Sequence, residues 1–392
     1  MQEYDAIVVG AGPIGGFIAD KIAEKRYNVA IFEKKKEIGM PMNCAGLVTS
    51  RVFENFSISK KDIVQNNIKG AHIHSPSGNV LTVGGDKVHA LVIDRALFDK
   101  KIVEKAKNAD VFLGNKVEKI SHKQNGLEIK ASTNQRFFTK LLIGADGPFS
   151  IVRKTFQLSE PKEFLYGAGA ELTNTNLEPD FVHIFIGNKV APGFFAWIIP
   201  TNKEGTNARI GLCTDKKSEL QPKSYLDNLF KNKEMSTLVK DVKIKQKTGG
   251  VIPLGVVKKP FTDNVMLSGD AAAHVKPTSG GGIYPGLSCA SFCSDIAVEA
   301  IKNNDFSSSL LKKYQKLCMD NIGKELVKAY RFRYIYKKLS DKQLDKYTVK
   351  FSDPRITETI NKYGDIDFPS KLVKPLIKKT PFLLKFLPSS LK

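Results

Sequence analysis

Residues 4–16 of the chain read Tyr-Asp-Ala-Ile-Val-Val-Gly-Ala-Gly-Pro-Ile-Gly-Gly. The apolar run from Ala6 to Val9 is typical of a buried parallel strand. Gly10, Gly12 and Gly15 follow it in the Gly-x-Gly-x-x-Gly pattern. That pattern predicts a tight turn, then a close approach of backbone to a pyrophosphate, then close contact between helix and sheet. The stretch therefore predicts the start of a nucleotide-binding α/β domain.

The residues after this turn complete a mononucleotide-binding unit. Residues 17–25 have a helical pattern, and the amides at the start of such a helix would face phosphates. Residues 28–32 form a second apolar strand, which ends at Glu33. An acid about 20 residues beyond the turn is placed to accept a hydrogen bond from a ribose hydroxyl. The alternative is a glycine turn that binds nothing, and the strand, the helix and the terminal acid together disfavour it.

Two further glycine motifs lie far along the chain, each at the end of a short apolar strand. Residues 143–147 read Ile-Gly-Ala-Asp-Gly, and residues 265–271 read Val-Met-Leu-Ser-Gly-Asp-Ala. Both place an aspartate beside a glycine at the carboxyl end of a strand, where ligands bind in open α/β sheets. Either pair alone is equally compatible with a plain turn. The three motifs in this order predict FAD, bound by a domain that the chain leaves and re-enters.

The fold class predicted from this order is α/β, with a Rossmann-like FAD-binding domain, an inserted antiparallel β-sheet domain for the substrate and a helical C-terminal region. The predicted segments are 1–66, 93–158 and 256–304 for FAD, 67–92 and 159–255 for the β-rich substrate domain, and 305–392 for the helical, basic region.

The charge of the chain is strongly positive, with a formal net charge of +21. Such an excess is compatible with nucleic-acid binding, but no helix-turn-helix, zinc-finger or RNA-binding motif accompanies it, so we predict no nucleic-acid partner. Attraction to an anionic membrane surface and a general lysine bias remain as alternatives.

The five cysteines are Cys44, Cys213, Cys289, Cys293 and Cys318. Their odd number argues against a disulfide framework and is typical of a reducing cytoplasm. None shows a zinc-type spacing, and Cys289 and Cys293, one helical turn apart, are interpreted as core packing, so the sequence predicts no metal site. The chain begins directly with a strand and has no apolar run of bilayer length, so we expect neither a signal peptide nor a membrane span.

The tail, residues 369–392, alternates lysines with leucine, isoleucine, valine and phenylalanine, and prolines divide it into short pieces. Such a segment cannot span a bilayer, but short amphipathic turns can rest on an anionic surface. We therefore expect possible peripheral association with a membrane, the alternative being a tail that packs back on the protein.

With these residues in place, the chain resembles the geranylgeranyl reductase family, whose members have the p-hydroxybenzoate-hydroxylase-like fold. The resemblance covers nearly the whole chain. Residues 33–47 are similar to the family's Glu-Lys…Ile-Gly…Pro…Cys-Gly stretch, with Ala45 in place of a glycine. Residues 192–200, Pro-Gly-Phe-Phe-Ala-Trp-Ile-Ile-Pro, are similar to its Pro-x-x-Tyr-x-Trp-x-Phe-Pro signature, with Phe195 in place of the tyrosine.

The resemblance implies a set of cofactor-binding and substrate-binding residues. Besides the first glycines, those implied to contact FAD are Gly15, Gly16, Glu33, Cys44, Ala45, Arg95, Val117, Asp270, Gly282 and Ile283. A guanidinium such as that of Arg95 suits a pyrophosphate because it makes bidentate, charge-assisted contacts. Phe195 and Trp197 are implied to line an apolar tunnel for the substrate. Cys44 is a candidate catalytic proton donor, or alternatively a packing residue beside the flavin.

The chemistry implied by the resemblance is reduction of isolated carbon–carbon double bonds in a geranylgeranylated lipid precursor of archaeal-type membranes. The sequence does not identify the electron donor, which we expect to be reduced ferredoxin, NAD(P)H or another external reductant. Two alternatives stay open. One is a flavin-dependent monooxygenase or halogenase of the same fold, since residues 195–200 are also close to the halogenase Trp-x-Trp-x-Ile-Pro signature. The other is a membrane-bound flavoprotein without turnover.

Overall fold

The computed structural model describes residues 1–231 and 233–380. The strands in these ranges are β1 Gln2–Val9, β2 Val29–Glu33, β3 Leu47–Val48, β4 Val64–Ile68, β5 Gly70–His74, β6 Val80–Gly84, β7 Ala90–Ile93, β8 Ala109–Leu113, β9 Val117–Lys123, β10 Gly126–Ala131, β11 Arg136–Gly144, β12 Glu163–Thr173, β13 Phe181–Ile186, β14 Phe195–Pro200, β15 Asn207–Asp215, β16 Lys243–Leu254, β17 Phe261–Thr262 and β18 Val265–Leu267.

The α-helices are α1 Pro13–Ala23, α2 Arg51–Glu54, α3 Arg95–Lys105, α4 Ile151–Thr155, α5 Pro222–Leu229, α6 Lys233–Leu238, α7 Ile283–Asn303, α8 Ser308–Cys318, α9 Lys324–Tyr336, α10 Asp341–Phe351, α11 Pro354–Tyr363 and α12 Val373–Lys379. A 3-10 turn over Gly269–Ala272 precedes α7, and a π-helical turn over Met319–Gly323 joins α8 to α9.

The nucleotide-binding scaffold is an eight-stranded sheet with the order β17-β18-β11-β1-β2-β8, and β9 and β10 extend it through β11. Strands β18, β11, β1, β2 and β8 pair in parallel. Helices α1, α3 and α7 pack on one face, and β9, β10 and α4 enclose a second core on the other. Because both faces are covered, β1 is continuously apolar from Ala6 to Val9 rather than alternating.

The second sheet has seven strands in the order β16-β12-β15-β14-β13-β5-β6. All neighbours are antiparallel except β13 and β5, which pair in parallel. Strands β5 and β6 therefore join a sheet whose other members begin only at Glu163, far later in the chain. Strands β3, β7 and β4 form a small third sheet beside it.

These elements confirm the predicted α/β class with a Rossmann-like sheet, a mainly antiparallel second sheet and a helical C-terminal region. Helix α1 begins at Pro13, four residues before the predicted start. Proline is favoured at the first helical position because the backbone N–H that it lacks would have no partner within the helix there. Helix α7 begins at Ile283, two residues before the expected Pro285.

In residues 1–231 and 233–380, no helix combines the length and the apolar character needed to cross a bilayer. The predicted amphipathic tail, 369–392, lies within this part of the chain only to Thr380; residues 381–392 are outside the described residues.

Candidate functional site

A large pocket lies where β1, β2, β11 and β18 reach their carboxyl ends and the seven-stranded sheet faces them. Its volume is about 790 Å³, within the range of roughly 300–1,000 Å³ that is usual for small-molecule sites. The residues that line it come from all three sheets and from the segment after α11. The pocket is therefore shared between the nucleotide-binding scaffold and the second sheet.

The glycine turn after β1 forms one wall of this pocket. Gly10 has a φ of +105°, and an added Cβ at Gly15 would overlap the carbonyl oxygen of Gly10. Glycine at these two positions thus lets α1 approach the strand end. Gly12 differs, since its φ of −74° suits any residue and an added Cβ would meet no atom within 4 Å. Gly12 borders open pocket space, where a ligand can approach the backbone.

Glu33 is held at the same wall by two backbone amides. Its Oε2 accepts a hydrogen bond from the amide of Ala11 at 2.9 Å, and its Oε1 accepts one from the amide of Lys35 at 2.9 Å. Each carboxylate oxygen keeps a further lone pair for a ligand hydroxyl. Val117 and Asn115 line the adjoining part of the pocket, and the buried Oδ1 of Asn115 has no hydrogen-bond partner among the described residues.

Cys44 and Ala45 line the pocket on a turn that a buried arginine holds in place. The Gly46 amide donates to Cys44 Sγ at 3.4 Å. Arg209 Nη1 donates to the carbonyl oxygens of Ala45 at 3.1 Å and Ile93 at 2.9 Å. Sequence reasoning missed Arg209, although an arginine within the apolar strand pattern of residues 208–212 was a usable signal.

Arg95 lines the pocket but is already engaged in an ion pair. Its guanidinium makes bidentate contacts with Asp99, one turn later on α3, at 3.0 to 3.1 Å. Burial alone would lower the pKa of Arg95. The nearby Asp99 carboxylate and the Cys44 side chain have the larger combined effect, so the pKa of Arg95 is raised. The residue is therefore a fixed positive charge in the wall of the pocket, next to Cys44.

The aspartates of the second and third motifs both reach the pocket. Asp146 accepts a hydrogen bond from the Ile151 amide at 2.7 Å, while its other oxygen is buried without a partner among the described residues. Burial raises the pKa of Asp270 from its ordinary value of 3.8 to about 6, against a smaller opposing effect of Arg95. An added Cβ at Gly282 would lie 3.1 Å from Asp270 Oδ1, and Ile283 begins α7 at this point.

An aromatic wall on β14 faces the pocket from the second sheet. The rings of Phe194 and Phe195 stack with centroids 4.2 Å apart, and Trp197 lies 6.0 Å from Phe195 in an edge-on arrangement. A Cβ at Gly211 on β15 would meet the Trp197 ring at 2.6 Å, so glycine there makes room for the indole. Phe194 is almost fully buried, whereas Phe195 and Trp197 are half-buried at the pocket surface.

A buried ion pair closes the pocket on the side of the C-terminal segment. Lys276 Nζ lies 2.8 Å from Asp367 Oδ1, and both residues line the pocket. Asp367 Oδ2 also accepts hydrogen bonds from Thr49 Oγ1 at 2.6 Å and Arg51 Nη1 at 3.0 Å. Sequence reasoning missed this cluster because its members are separated by up to 318 residues.

The structure thus brings together most of the predicted site residues along one pocket and leaves two of them outside it. Those that line it are Gly10, Gly12, Glu33, Cys44, Ala45, Arg95, Val117, Phe195, Trp197, Asp270, Gly282 and Ile283. Gly15 lies in the contact between α1 and the turn, and an added Cβ at Gly16 would collide with Val103 of α3. These two glycines serve packing contacts of α1.

The donors and acceptors of the pocket fit FAD. The open space beside Gly12 and the glycine turn suits a pyrophosphate, and the fixed Glu33 carboxylate suits a ribose hydroxyl. The unpartnered Asn115 Oδ1 offers an acceptor at the end of the pocket near Val117. At the other end, Gly280, Gly281 and Gly282 present backbone without side chains just before α7 begins at Ile283.

Comparison with known proteins gives relatives that match nearly the whole chain. Residues 166–251 match a family model described as the geranylgeranyl reductase catalytic domain. The chain is 32% identical to the digeranylgeranylglycerophospholipid reductase of Methanocaldococcus jannaschii, over 98% of this chain and 97% of that protein. It is 30% identical to digeranylgeranylglycerophospholipid reductase 2 of Methanopyrus kandleri, over 98% of each.

Solved structures share the fold. A geranylgeranyl bacteriochlorophyll reductase-like protein from Thermoplasma acidophilum has a TM-score of 0.86 at 24% identity, covering 99% of this chain and 100% of that one. A p-nitrophenol 4-monooxygenase from Pseudomonas putida has a TM-score of 0.71 at 17% identity, covering 95% and 99%. The halogenase PltM, solved with FAD, has a TM-score of 0.71 at 13% identity, covering 97% and 91%. At these identities the similarity shows the fold alone.

Proposed function

Because the chain belongs to the geranylgeranyl reductase family, we propose that it is an FAD-dependent reductase that saturates isolated carbon–carbon double bonds of geranylgeranyl chains. The substrate class is an isoprenoid membrane-lipid precursor of the archaeal type, as the names of its relatives in Methanocaldococcus jannaschii and Methanopyrus kandleri suggest.

The observation that carries this proposal is the meeting of two chemically different walls in one pocket. The glycine turn, Glu33 and Asp270 form a polar wall, and the rings of Phe195 and Trp197 form an apolar wall opposite. An isolated alkene has no carbonyl or charge to hold, so burial against apolar side chains must supply its binding and alignment. This pocket supplies such a surface beside the residues that fit FAD.

The residues of the pocket have separate tasks in this reaction. When bound, FAD supplies the hydride chemistry that an unpolarised double bond requires. The aromatic wall excludes water and holds the chain in place, and Arg209 fixes the turn that carries Cys44. Cys44 Sγ is the group assigned to hold the proton for the second carbon, with a packing role as the alternative.

The decisive experiment incubates the chemically reduced holoprotein with geranylgeranylated glycerophospholipid and analyses the lipid by mass spectrometry. The proposal predicts the gain of two hydrogens for each reduced double bond. A hydroxylated or chlorinated product formed in the presence of oxygen and halide would instead support the monooxygenase or halogenase alternative. A flavin that no donor can reduce would support a binding protein without turnover.

The electron donor is tested separately. Anaerobic bleaching of the flavin absorbance is followed with NADH, with NADPH and with reduced ferredoxin as three arms. The positive charge of the chain suits an acidic protein donor, so we expect salt to slow reduction by ferredoxin more than reduction by NAD(P)H.

We also propose peripheral binding to an anionic membrane through the lysine-rich tail, with each lysine near the surface contributing about 1 kcal/mol. Co-sedimentation with anionic vesicles compares the full chain with a truncation after Phe368, which removes the whole tail, residues 369–392, and keeps the ion pair of Asp367 with Lys276. Equal binding of both proteins at low salt would show that the tail is not the anchor.

A further inference from the structure

Behind the pocket wall, three residues that are far apart in sequence meet in a fully buried cluster. A ring nitrogen of His274 and the Sγ atoms of Cys289 and Cys318 all lie within 4.8 Å of one another. The three residues are 1%, 0% and 4% exposed. Their separation along the chain explains why no spacing motif revealed them.

Three different elements bring the cluster together. Ala273 ends the 3-10 turn after β18 with a φ of +56°, in the left-handed region, and this bend precedes His274. Cys289 lies on the inner face of α7, and Cys318 ends α8. Side chains from just after the third FAD motif and from the two helices that follow it therefore meet at this point.

The polar atoms of the cluster are poorly satisfied within the protein. His274 Nδ1 is buried with no hydrogen-bond partner among the described residues, and Ser268 Oγ next to the same strand end is in the same state. An unpaired buried polar atom destabilises a fold, because its lost contact with water is not replaced. Cys318 Sγ donates a long hydrogen bond, 4.0 Å, to the carbonyl oxygen of Cys289. The imidazole of His274 is thus the group of the cluster that lacks a partner among the described residues.

Burial also sets the protonation state of these groups. It lowers the pKa of His274 to about 3, so the imidazole is neutral and has a free lone pair. It raises the pKa of the Cys289 thiol well above its ordinary value, an effect that the adjacent Cys318 thiol increases. Without a metal, the Cys289 thiol therefore keeps its proton.

We propose that His274, Cys289 and Cys318 bind a Zn²⁺ ion. Imidazole nitrogen and thiolate sulfur are the ligands that zinc prefers, at about 2.0–2.1 Å and 2.3 Å. Ligand atoms that share one tetrahedral zinc lie roughly 3.5–3.8 Å apart, so the three side chains close by about 1 Å on binding. Zn²⁺ replaces the two thiol protons, which leave to solvent, and the site stays electrically neutral in an apolar core.

Other polar side chains lie around the three ligands, and the hydroxyl of Tyr314 donates a hydrogen bond to the carbonyl oxygen of Leu267 at 2.8 Å. Tyr314 of α8 lies beside the cluster, and Cys293 and Ser268 lie close enough to Tyr314 to affect its pKa, which burial in the first place raises well above the ordinary value. Because all three ligand residues are buried, the site has the closed character of structural zinc. The role of the zinc is to join the turn after β18 to α7 and α8. The site lies directly behind Gly282 of the FAD pocket, because the carbonyl oxygen of His274 is 3.8 Å from the position that a Cβ at Gly282 would take.

The test measures metal content and is independent of the reductase activity. The full-length holoprotein is purified under reducing conditions without chelator, and its zinc is measured by inductively coupled plasma mass spectrometry. We expect one zinc per chain. Replacement of the zinc by Co²⁺ should produce the intense near-ultraviolet absorption of thiolate-to-cobalt charge transfer.

Cys318→Ser and Cys213→Ser form a matched pair, because Cys213 is a buried free thiol on β15 outside the cluster. Cys318→Ser should lower the zinc content at least about tenfold, whereas Cys213→Ser should keep one zinc per chain. Zinc-free wild-type protein is titrated with Co²⁺, and the absence of a charge-transfer band would overturn the proposal. This result does not depend on whether a variant folds. Equal zinc content in the two variants would overturn it as well.

Discussion

Lys276 Nζ lies 2.8 Å from Asp367 Oδ1, in an ion pair whose carboxylate is fully buried. The lysine belongs to the loop between Asp270 and Gly282, and the aspartate belongs to the segment after α11. Thr49 and Arg51 bind the second carboxylate oxygen. The ion pair therefore links the loop on the FAD side of the pocket to the C-terminal segment that closes it.

The first prediction concerns this pair. Lys276→Met removes one partner and leaves the buried carboxylate with Thr49 and Arg51, so we expect the free energy of unfolding to fall by about 3 kcal/mol. Urea denaturation measures it. Lys313→Met is the control, because Lys313 pairs with Glu299 at the surface and should change stability by less than about 1 kcal/mol. Equal effects of the two substitutions would contradict the prediction.

The second prediction separates FAD binding from folding at the glycine turn. An added methyl group at Gly12 extends into open pocket space, so Gly12→Ala should keep the stability of the FAD-free protein within about 0.5 kcal/mol. It should weaken FAD binding at least about tenfold, or about 1.4 kcal/mol. Fluorescence titration of the apoprotein with FAD measures the affinity. Gly15→Ala, whose Cβ would overlap Gly10, should instead fail to fold stably.

The third prediction follows from the raised pKa of Asp270. The unfolded chain releases this proton near pH 3.8, and the folded protein holds it to about pH 6. The free energy of unfolding therefore falls as the pH rises from 3.8 to about 6. Above about pH 6, the buried charge of Asp270 opposes folding. Asp270→Asn should stabilise the FAD-free protein by up to about 3 kcal/mol near pH 8 and by almost nothing near pH 4.

Denaturation of the apoprotein at both pH values checks this expectation, with the exposed Asp241→Asn as the control that should show no pH-dependent gain. A gain for Asp270→Asn that is the same at both pH values would contradict the prediction. FAD affinity of the same variant is expected to fall, because the carboxylate borders the ligand space.

The fourth prediction tests the aromatic wall. Trp197→Ala opens the apolar side of the pocket, so kcat/KM for the geranylgeranylated lipid should fall at least about tenfold. FAD content should be unchanged, because the contacts proposed to hold the cofactor come from the glycine turn and Glu33, which belong to another part of the pocket lining. Steady-state kinetics and the absorbance ratio of flavin to protein are the two measurements. Loss of FAD in parallel with activity would place Trp197 in cofactor binding instead.

The fifth prediction concerns Cys44. Cys44→Ser should lower turnover more than FAD occupancy, and Cys44→Ala should lower turnover further, because serine still carries a hydroxyl proton. Turnover with dithionite-reduced protein and flavin content are compared across the two variants. If turnover and flavin content fall equally, or if neither of them falls, Cys44 packs beside the cofactor and holds no proton.

The local patterns of the sequence were sufficient for the elements around the glycine turn. Local hydrophobic periodicity predicts the run from Ala6 to Val9, the helix after it and Glu33 at the end of β2. These features depend on contacts within about one βαβ unit. Gly16 shows the limit of such reading. Its place beside Gly15 in the motif suggested the cofactor, but its Cα lies against Val103 of α3.

The features that were missed depend on pairing between distant segments. Nothing near Asp367 in the sequence marks it as buried, because its partners Thr49 and Lys276 come from other elements. Arg209 was detectable only as a charge within an apolar strand, and its hydrogen bonds to Ala45 and Ile93 could not be inferred. The parallel contact of β5 with β13 likewise depends on the whole chain.

The strand order of the nucleotide-binding sheet has a consequence for how the protein is made. Strands β1, β2, β8 and β11 are complete once residue 144 has been synthesised, but β18, which pairs with β11, follows only at Val265. Until then, β11 lacks its β18 partner from Leu142 to Gly144, whereas β10 already covers the first part of the strand. The last wall of the pocket arrives with Asp367, so the ribosome must deliver almost all of the protein before the cofactor can be enclosed.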